Sequence, residues 1–208
     1  MNTSPAGHQN LTRLTLPITI EPVGESECDE LMSYLTDQLS DNGKAPAGYF
    51  LPRSKNESGV PPDKEKSFRA GLIIPIGSPG WRRAWVARAA NRQIAGHVDL
   101  RSHPMHFAEH RCLLGIGVQR DHRRLGVGAA LLAHASEWAR AHPGLEWLDL
   151  QLLSANESAL RLYLRAGFVK VGEVAEMFKI DGCLFSETTM TRRLREKANG
   201  DGQEIRED

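Results

Sequence analysis

The apolar positions of the chain change repeatedly between strand spacing and helix spacing, and these changes predict its secondary structure. Near the amino terminus, a short apolar run predicts a strand over 16–20, and apolar residues three and four positions apart predict a helix over 25–39. Two apolar runs between 83 and 101, separated by Asn91 and Arg92, are typical of a β-hairpin with a short polar turn. The chain is therefore expected to begin with a strand and a helix, followed after a long gap by a hairpin.

The second half of the chain alternates in the same way. Its predicted elements, in order, are a strand over 111–119, a helix over 125–141, a strand over 147–153, a helix over 156–165, and strands over 168–174 and 183–191. Pro143 and Gly144 end the first of these helices, and Asp181 with Gly182 is a turn signal that joins the last two strands. The mixture of helices and strands, with no internal repeat, predicts an α+β fold.

The remaining segments are predicted to be loops and tails. Residues 43–67 are rich in Gly, Pro, Ser and Lys, which favours a long loop that contains a short helix near 64–70. Residues 1–15 and 195–208 are polar and have no periodic apolar positions, so both are expected to be flexible tails. One domain over 16–194 remains, which is long enough to bury a single core.

Composition and charge narrow the functional classes. Hydrophobic residues make up 40% of the chain and charged residues 25%, as in an ordinary globular protein. The formal net charge is zero, so no global attraction to nucleic acid or to an anionic membrane is expected. The three cysteines lie far apart, and the sequence has neither a signal-peptide pattern nor a run of about 18 apolar residues. We therefore expect a cytoplasmic protein whose partners are neither nucleic acid nor membrane.

A basic turn and two glycines connect the strand predicted at 111–119 to the helix after it. The arginines closest to the glycines are Arg123 and Arg124, and the glycines are Gly126 and Gly128. The first N–H groups of a helix have no intrahelical partner and lie at the positive end of its dipole, and glycine lets an anion approach the backbone closely. The pattern therefore predicts a phosphate site, although two glycines alone would equally permit a tight turn with solvated arginines.

This turn and a second motif downstream resemble the GNAT superfamily of acyl-CoA N-acyltransferases. The family signature R/Q-x-x-G-x-G/A is matched by Arg123, Gly126 and Gly128, and residues 115–118 look like the family strand that ends in a bulge. Residues 154–168 are similar to the second family motif. The matching positions there are Asn156, Ala159, Tyr163, Gly167 and Phe168. Two motifs in the right order are much more specific than either motif alone.

The resemblance implies a mixed, mostly antiparallel sheet with helices on both faces. Strands 112–119 and 146–153 would be parallel neighbours that splay apart and hold acyl-CoA, with backbone contacts at Val118 and Arg120. A backbone N–H near Val118 would also stabilise the negative charge that develops on the thioester carbonyl oxygen. Backbone amides of the glycine turn would bind the pyrophosphate of acetyl-CoA. That turn comprises Arg123, Arg124, Leu125, Gly126, Val127 and Gly128.

The activity implied by the resemblance is transfer of an acetyl group, or another short acyl group, from acetyl-CoA to a primary amine by direct attack on the thioester. Asn156 would hydrogen-bond the coenzyme, and Tyr163 would donate a proton to the departing thiolate. The acceptor would be a small-molecule or peptide amine that the sequence does not identify. Two alternatives remain open: a non-catalytic acyl-CoA-binding regulatory domain, and an acetyltransferase for protein N-termini or lysines. Dimers are common in the family, so the resemblance also suggests a homodimer.

Simpler roles remain open for the same residues. Asn156 could serve only to cap the helix that follows, but Ser154 and Glu157 already form a capping-box pattern, which favours a ligand role for Asn156. Tyr163 could pack in the core, and Arg123 could be a solvated surface residue. The surroundings of each side chain in the fold distinguish these roles.

The group that takes the proton from the amine is not identified by the sequence. Many family members have a glutamate in the strand before the glycine turn, but the corresponding positions here are Cys112, Leu113 and Leu114. The remaining candidates are Glu109, His110, Asp99, His97 and Glu173. A base can also act through one water molecule, so a dedicated carboxylate is not required.

Three spaced histidines raise the alternative of a metal site. They are His103, His106 and His110. They lie between predicted strands beside Pro104, and no Cys or Asp stands at ligand spacing from them. A polar loop is therefore the favoured interpretation, and no metal is expected.

Overall fold

The structure is a computed structural model that describes residues 17–57 and 59–195. Its helices are α1 (Cys28–Leu39), α2 (Pro62–Ile73), α3 (Val127–Arg140) and α4 (Glu157–Arg165). Its strands are β1 (Thr19–Pro22), β2 (Arg82–Arg88), β3 (Ile94–Ser102), β4 (Arg111–Val118), β5 (Trp147–Leu153), β6 (Val169–Ile180) and β7 (Cys183–Arg193). The tails predicted at 1–15 and 195–208 fall outside the described residues, apart from Arg195.

The seven strands form one sheet in the order β1-β2-β3-β4-β5-β7-β6. Every neighbouring pair is antiparallel except β4 and β5, which are parallel. This arrangement confirms the α+β class and the mixed, mostly antiparallel sheet. In the described part of the chain, every helix is too short or too polar to cross a membrane.

Helices cover both faces of the sheet, as expected. Strand β2 contributes residues to the cores on both faces. Ala84 and Val86 belong to the core shared with α1 and α2, whereas Trp85 and Ala87 belong to the core beneath α3 and α4. Alternate residues of a strand point to opposite faces, so a strand covered on both sides is apolar at consecutive positions. The run of buried residues in β2 is therefore explained by helices that cover this strand on both faces of the sheet.

Two elements are several residues longer than predicted. Helix α2 begins at Pro62, before its predicted start, because proline suits the first helical position, where no N–H is needed. Strand β6 continues to Ile180 instead of ending near 174, and it forms with β7 a long ribbon whose β6 side chains are mostly exposed. An exposed ribbon has no alternation of buried and solvated positions, so hydrophobic spacing cannot mark its outer half. The Asp181–Gly182 turn that joins the two strands is confirmed.

Strands β4 and β5 diverge after a short paired segment. They pair only from Arg111–Trp147 to Leu113–Asp149, whereas β4 stays paired with β3 as far as Val118. At the closed end, the Arg111 guanidinium donates two hydrogen bonds of 2.6 Å to the Asp149 carboxylate. The splayed parallel pair is thus confirmed. The predicted bulge in β4 was wrong, because the β3–β4 register is unbroken and the gap arises where the β4–β5 pairing stops.

Candidate functional site

The gap between β4 and β5 belongs to a cavity of about 1090 Å³ that reaches α1 on one face of the sheet and α3 and α4 on the other. Seven of the ten residues singled out in the sequence line it. They are Val118, Arg123, Arg124, Gly126, Gly128, Asn156 and Tyr163. Arg120, Leu125 and Val127 do not line it, and the Val127 side chain is buried in the core. The fold therefore brings most of the two motifs together around one cavity.

Helix α3 presents backbone donors to this cavity. Gly126 precedes the helix with a φ of +91°, a left-handed conformation that glycine adopts without strain. The first intrahelical hydrogen bond runs from the Ala130 N–H to the Gly126 carbonyl at 3.0 Å, so the N–H groups of 127–129 precede the helical ladder. In this described segment, no side chain caps them and no acidic residue lies in the first turn. The arrangement is suited to bind an anion.

Gly128 also has a packing role. A Cβ atom at this position would lie 3.2 Å from Leu162 on α4 and 3.3 Å from Val118 on β4. The missing side chain therefore lets the start of α3 approach both elements, which brings its free N–H groups to the edge of the gap.

The basic turn carries less free positive charge than its sequence suggests. The Arg120 side chain points to the carboxyl end of α1, where it binds Asp37 at 3.1 Å and, just beyond the helix, Asp41 at 2.8 Å. Any contact from Arg120 to a ligand in the cavity would therefore come from its backbone. Arg123 donates from Nε to the Val118 carbonyl at 3.1 Å. Arg124 is exposed, lines the cavity and has no ion pair with another described residue. Arg124 is thus the arginine of the turn that is free to meet an anion.

The backbone of Val118 faces the gap. The Gln119 N–H donates to the Ala95 carbonyl at 2.9 Å, so residue 119 points its backbone groups at β3. Because these directions alternate along an antiparallel pair, the N–H and carbonyl of Val118 point to the side from which β5 has diverged. The Val118 carbonyl accepts the hydrogen bond from Arg123. The Val118 N–H is directed into the gap, where it can stabilise a developing negative charge.

Asn156 caps helix α4. Its Oδ1 accepts a hydrogen bond from the Ala159 N–H at 3.2 Å. The predicted capping box was wrong, because the Ser154 hydroxyl bonds with the Thr188 hydroxyl at 2.8 Å and does not cap the helix. Capping uses only the oxygen of the Asn156 amide, so its Nδ2 group remains available at the cavity and both suggested roles are compatible.

Tyr163 is both packed and accessible. Its ring lies 5.7 Å from that of Phe168, between centroids, in the core face of α4. The residue also lines the cavity, and its hydroxyl has no hydrogen bond to another described residue. Burial raises the pKa of Tyr163 to about 12, so the hydroxyl stays protonated at neutral pH. The side chain therefore holds an available proton at the cavity wall.

The structure separates the candidate proton acceptors by position. Glu109 and His110 lie in the loop before β4, and Glu173 lies on the exposed strand β6, so these three do not line the cavity. His97 and Asp99 do line it, from β3. The candidates are thereby reduced to two side chains.

Neither of these two is a free base. Burial lowers the pKa of His97 to about 4, so its imidazole is neutral at physiological pH, and its Nδ1 lies 3.5 Å from the Tyr34 hydroxyl. The Asp99 carboxylate is bound by two guanidinium groups, those of Arg82 and Arg101. Over the described residues, the β3 wall of the cavity therefore offers no unpaired carboxylate.

Apart from the candidate bases His97 and Asp99, the sequence patterns missed the residues that line the cavity on the α1 side. Gly115 and Gly117 leave the surface of β4 bare, and side chains from other elements approach this bare surface closely. A Cβ at Gly115 would lie 2.5 Å from Asp99 Oδ1, and one at Gly117 would overlap Gln38 Oε1. Glycine inside a strand is a sign of close approach, and this signal was available in the sequence. It could not reveal which side chains approach, because these come from another strand and from a distant helix.

The loop before α2 forms the outer wall on this side, where residues 50–51 line the cavity. The Asp181 carboxylate, at the tip of the β6–β7 hairpin, holds the loop in place through three hydrogen bonds. Their donors are the Tyr49 hydroxyl at 2.6 Å, the Ser54 hydroxyl at 2.7 Å and the Lys55 N–H at 3.0 Å. These donors lower the pKa of Asp181 to about 2. We call this cluster the Asp181 latch.

Removing the carboxylate should release the loop. Asp181→Gly suits the φ of +48° at this position, and we expect the Lys55 amide to exchange its hydrogen about tenfold faster or more, while amides of β5 are unaffected. Asp181→Asn retains an acceptor oxygen and should keep most of the protection. Because the folded-state pKa of Asp181 is depressed, the latch should be complete above roughly pH 4 and lost as the pH falls through about 2. Unchanged exchange in the glycine variant would contradict the latch.

Metal-binding side chains are not clustered in the described part of the chain. No group of three or more His, Cys, Asp or Glu residues there could hold a metal ion, and this includes the three histidines of the β3–β4 region. The three cysteines are free thiols, of which Cys28 and Cys112 are buried and Cys183 is exposed.

Comparison with protein families and solved structures agrees with this geometry. The model of the acetyltransferase (GNAT) family matches residues 51–168, which is more than half of the chain. Comparison with curated proteins gave no sequence match.

Three solved structures illustrate the shared fold. A GNAT-family acetyltransferase from Streptococcus pneumoniae aligns with a TM-score of 0.71 and 20% identity, over 85% of this chain and 99% of that one. A protein from Salmonella typhimurium, solved with its cofactor acetyl-CoA, aligns at 0.70 and 18%, over 89% and 99%. A ribosomal-protein-alanine N-acetyltransferase from Brucella melitensis aligns at 0.65 and 20%, over 84% and 99%. Identities this low show a common architecture and not a common substrate.

Proposed function

Because the chain belongs to the GNAT acetyltransferase family, we propose that its domain, residues 16–194, transfers an acetyl group or another short acyl group from acyl-CoA to a primary amine. The observation that carries the proposal is the gap between β4 and β5. One cavity there joins the free N–H groups of α3, the Val118 N–H and the Tyr163 hydroxyl. These are the groups that such a transfer needs to bind a phosphate and to stabilise two developing charges.

Acetyl-CoA is the proposed co-substrate. The N–H groups of 127–129 and the Arg124 guanidinium would bind the pyrophosphate, and the open edge of β4 at Val118 would pair with the pantetheine arm. Asn156 would donate from Nδ2, which capping leaves free. When bound, acetyl-CoA supplies the acyl group as a thioester. The structure of the Salmonella typhimurium protein with its cofactor acetyl-CoA supports this choice of ligand for the fold.

The residues of this chain would act on the charges that the transfer creates. The Val118 N–H would stabilise negative charge on the carbonyl oxygen while the amine attacks. The Tyr163 hydroxyl would donate a hydrogen bond, and then its proton, to the departing thiolate. The pKa of Tyr163 is about 12 and that of a thiol is roughly 8.5, so full transfer is favourable only when the proton lost by the amine replaces it. We therefore expect the two proton transfers to be coupled.

The pH dependence of acetyl transfer should follow the ionisation of the acceptor amine. The neutral amine is the nucleophile. Below the pKa of an alkyl amine, roughly 10.4, the neutral fraction rises about tenfold for each unit by which the pH increases. With no unpaired carboxylate on the β3 wall, kcat/KM for the acceptor should rise steadily between roughly pH 6 and 9. His97, with a pKa of about 4, stays neutral throughout this range.

Initial rates at saturating acetyl-CoA across this pH range check the expectation. Replacing Glu109, His110 or Glu173 by alanine should cost less than about 100-fold in kcat, because none of these residues lines the cavity. A plateau that follows an inflection near neutral pH and disappears in His97→Gln would reveal an imidazole base and contradict the prediction.

The acceptor is proposed to be a small-molecule amine or the flexible end of a peptide. The loop at 50–51, fixed by the Asp181 latch, walls the α1 side of the cavity, which disfavours a lysine on a folded surface. The cytoplasm is proposed as the compartment because all three cysteines are free thiols.

Thiol release with a panel of primary amines tests the proposed function. The purified protein is supplied with acetyl-CoA, thiol is measured continuously, and the N-acetylated product is identified by mass spectrometry. We expect thiol release that requires an amine and matches the product in amount. Tight CoA binding without turnover of any amine would support the alternative of a non-catalytic acyl-CoA-binding domain.

A further inference from the structure

The α1 side of the cavity has an excess of positive charge. The single carboxylate of Asp99 is bound by two guanidinium groups, those of Arg82 and, at 3.2 Å, Arg101. The Arg82 side chain is 20% exposed, whereas that of Arg101 is 36% exposed and lines the cavity. Asp99 can neutralise one of the two, so a net positive charge remains on the more exposed arginine.

Arg101 lies at the junction of two cavities. It lines the main cavity and also a second one of about 220 Å³. A Cβ at Gly115 would lie 3.1 Å from Arg101 Nη1, so the guanidinium rests on the bare backbone of β4. Its hydrogen bond to Asp99 uses one of five donors, and the others have no partner among the described residues. A partly enclosed guanidinium with free donors is suited to bind a carboxylate.

Gln38 lies where it can contact the acceptor amine. It is 8% exposed and lies over Gly117, the residue before Val118. Its Nε2 is fully buried without a partner among the described residues, so Oε1 is the end that opens to the cavity. That oxygen can accept a hydrogen bond from an amine approaching the Val118 N–H. Residues on one face of a strand recur every roughly 7 Å. Gln38 lies over Gly117 and Arg101 lies over Gly115, so the two side chains are about one such repeat apart along β4.

Neither of the other described carboxylates around the two cavities forms an ion pair with Arg101. Among the described lining residues they are Glu137 and Glu187. Glu137 lies on α3, on the opposite face of the sheet, and Glu187 accepts a hydrogen bond from Gln151 Nε2 at 3.3 Å. A polyamine would therefore place its second cation against a positively charged wall, which is unfavourable.

We propose, on the basis of the proposed function, that the acceptor is a primary amine that carries a carboxylate or a similar anionic group. Arg101 binds the anionic group and Gln38 orients the amine. Arg101 thereby selects amino carboxylates over uncharged amines and polyamines, and the second cavity receives the remainder of a small acceptor.

The test compares an amino acid, its primary amide, and the amine that remains without the carboxylate. Because their amine pKa values differ, kcat/KM is expressed per concentration of neutral amine. In the wild-type protein, kcat/KM should be highest for the amino acid. Arg101→Gln should lower that value by about 10- to 100-fold, the effect of one charge-assisted hydrogen bond, and leave the other two acceptors within about threefold. Arg101→Lys, which keeps the charge, should recover part of the loss.

CoA affinity separates this inference from the proposed function. Calorimetry should give the same CoA affinity for the wild-type protein and Arg101→Gln, since Arg101 lies away from the start of α3. Turnover of amines without a preference for the carboxylate, a preference for polyamines, or equal losses for all three acceptors in Arg101→Gln would overturn the inference and leave the proposed function standing. A wild-type protein that binds CoA and acetylates no amine would overturn both.

Discussion

Replacing Tyr163 with phenylalanine should lower kcat by about 10²–10⁴-fold, the range for loss of a proton donor, with little change in CoA affinity. Phenylalanine keeps the ring that packs against Phe168, so the free energy of unfolding should change little. The expected effect is large because the Tyr163 hydroxyl lines the cavity and has no competing hydrogen bond to a described residue. Steady-state kinetics with saturating acetyl-CoA and amine measure the effect.

Tyr49→Phe is the matched control for that experiment. The Tyr49 hydroxyl binds the Asp181 carboxylate at 2.6 Å and does not line the cavity. Its removal should change kcat by less than about tenfold, below the range of an essential acid. If Tyr163→Phe and Tyr49→Phe had equally small effects, Tyr163 would be a packing residue and another group would protonate the thiolate.

Ala129→Glu should raise the Kd for CoA by about 10- to 100-fold. Ala129 is exposed in the first turn of α3, so the larger side chain displaces no core packing. A carboxylate there would interact with the N–H groups of 127–129 and repel two phosphate charges, at about 1 kcal/mol each in a water-like medium. An acid in the first turn also stabilises a helix by about 0.3–1 kcal/mol, so the protein should be no less stable. Calorimetric titration with CoA measures the change.

Ala129→Gln supplies the control of nearly the same size without the charge. It should bind CoA within about threefold of the wild-type protein, and the difference between the two variants should shrink as salt is added. Equal CoA affinity in the glutamate and glutamine variants at low salt would show that the pyrophosphate does not bind at the start of α3.

Local signals in the sequence predicted the parts of the fold and site that depend on neighbouring residues. The glycines at 126 and 128 mark a turn whose backbone must adopt a left-handed conformation and pack closely, and the helix that follows has regular apolar spacing. The Asp181–Gly182 turn is of the same kind, since both residues have the positive φ that this dipeptide favours. These features need no knowledge of the rest of the chain.

Contacts between distant parts of the chain account for what the sequence did not show. The Arg120 side chain is bound to Asp41, a contact that hydrophobic spacing cannot reveal, while the expected backbone contact of Arg120 with the coenzyme stays a prediction. The Asp181 latch joins a hairpin tip to a loop more than 120 residues earlier. Polar partners of this kind depend on the relative positions of folded elements, so one sequence does not determine them by pattern alone.

The helix cap at Asn156 shows a smaller limit of the same kind. Ser154 and Glu157 have the spacing of a capping box, yet Asn156 is the cap, because Ser154 is paired with Thr188 on β7. A shift of two residues in the start of a helix is enough to exchange these roles. The consequence for function is small, since the Asn156 amide can cap the helix and meet a ligand at once.

A crystal structure of the protein with CoA tests the central claim most directly, namely that the gap between β4 and β5 binds acyl-CoA for transfer. We expect the pyrophosphate within hydrogen-bond distance of the N–H groups of 127–129, the pantetheine arm along β4 at Val118, and the sulfur beside the Tyr163 hydroxyl. CoA bound elsewhere on the protein, or a pyrophosphate that does not contact the start of α3, would contradict the account.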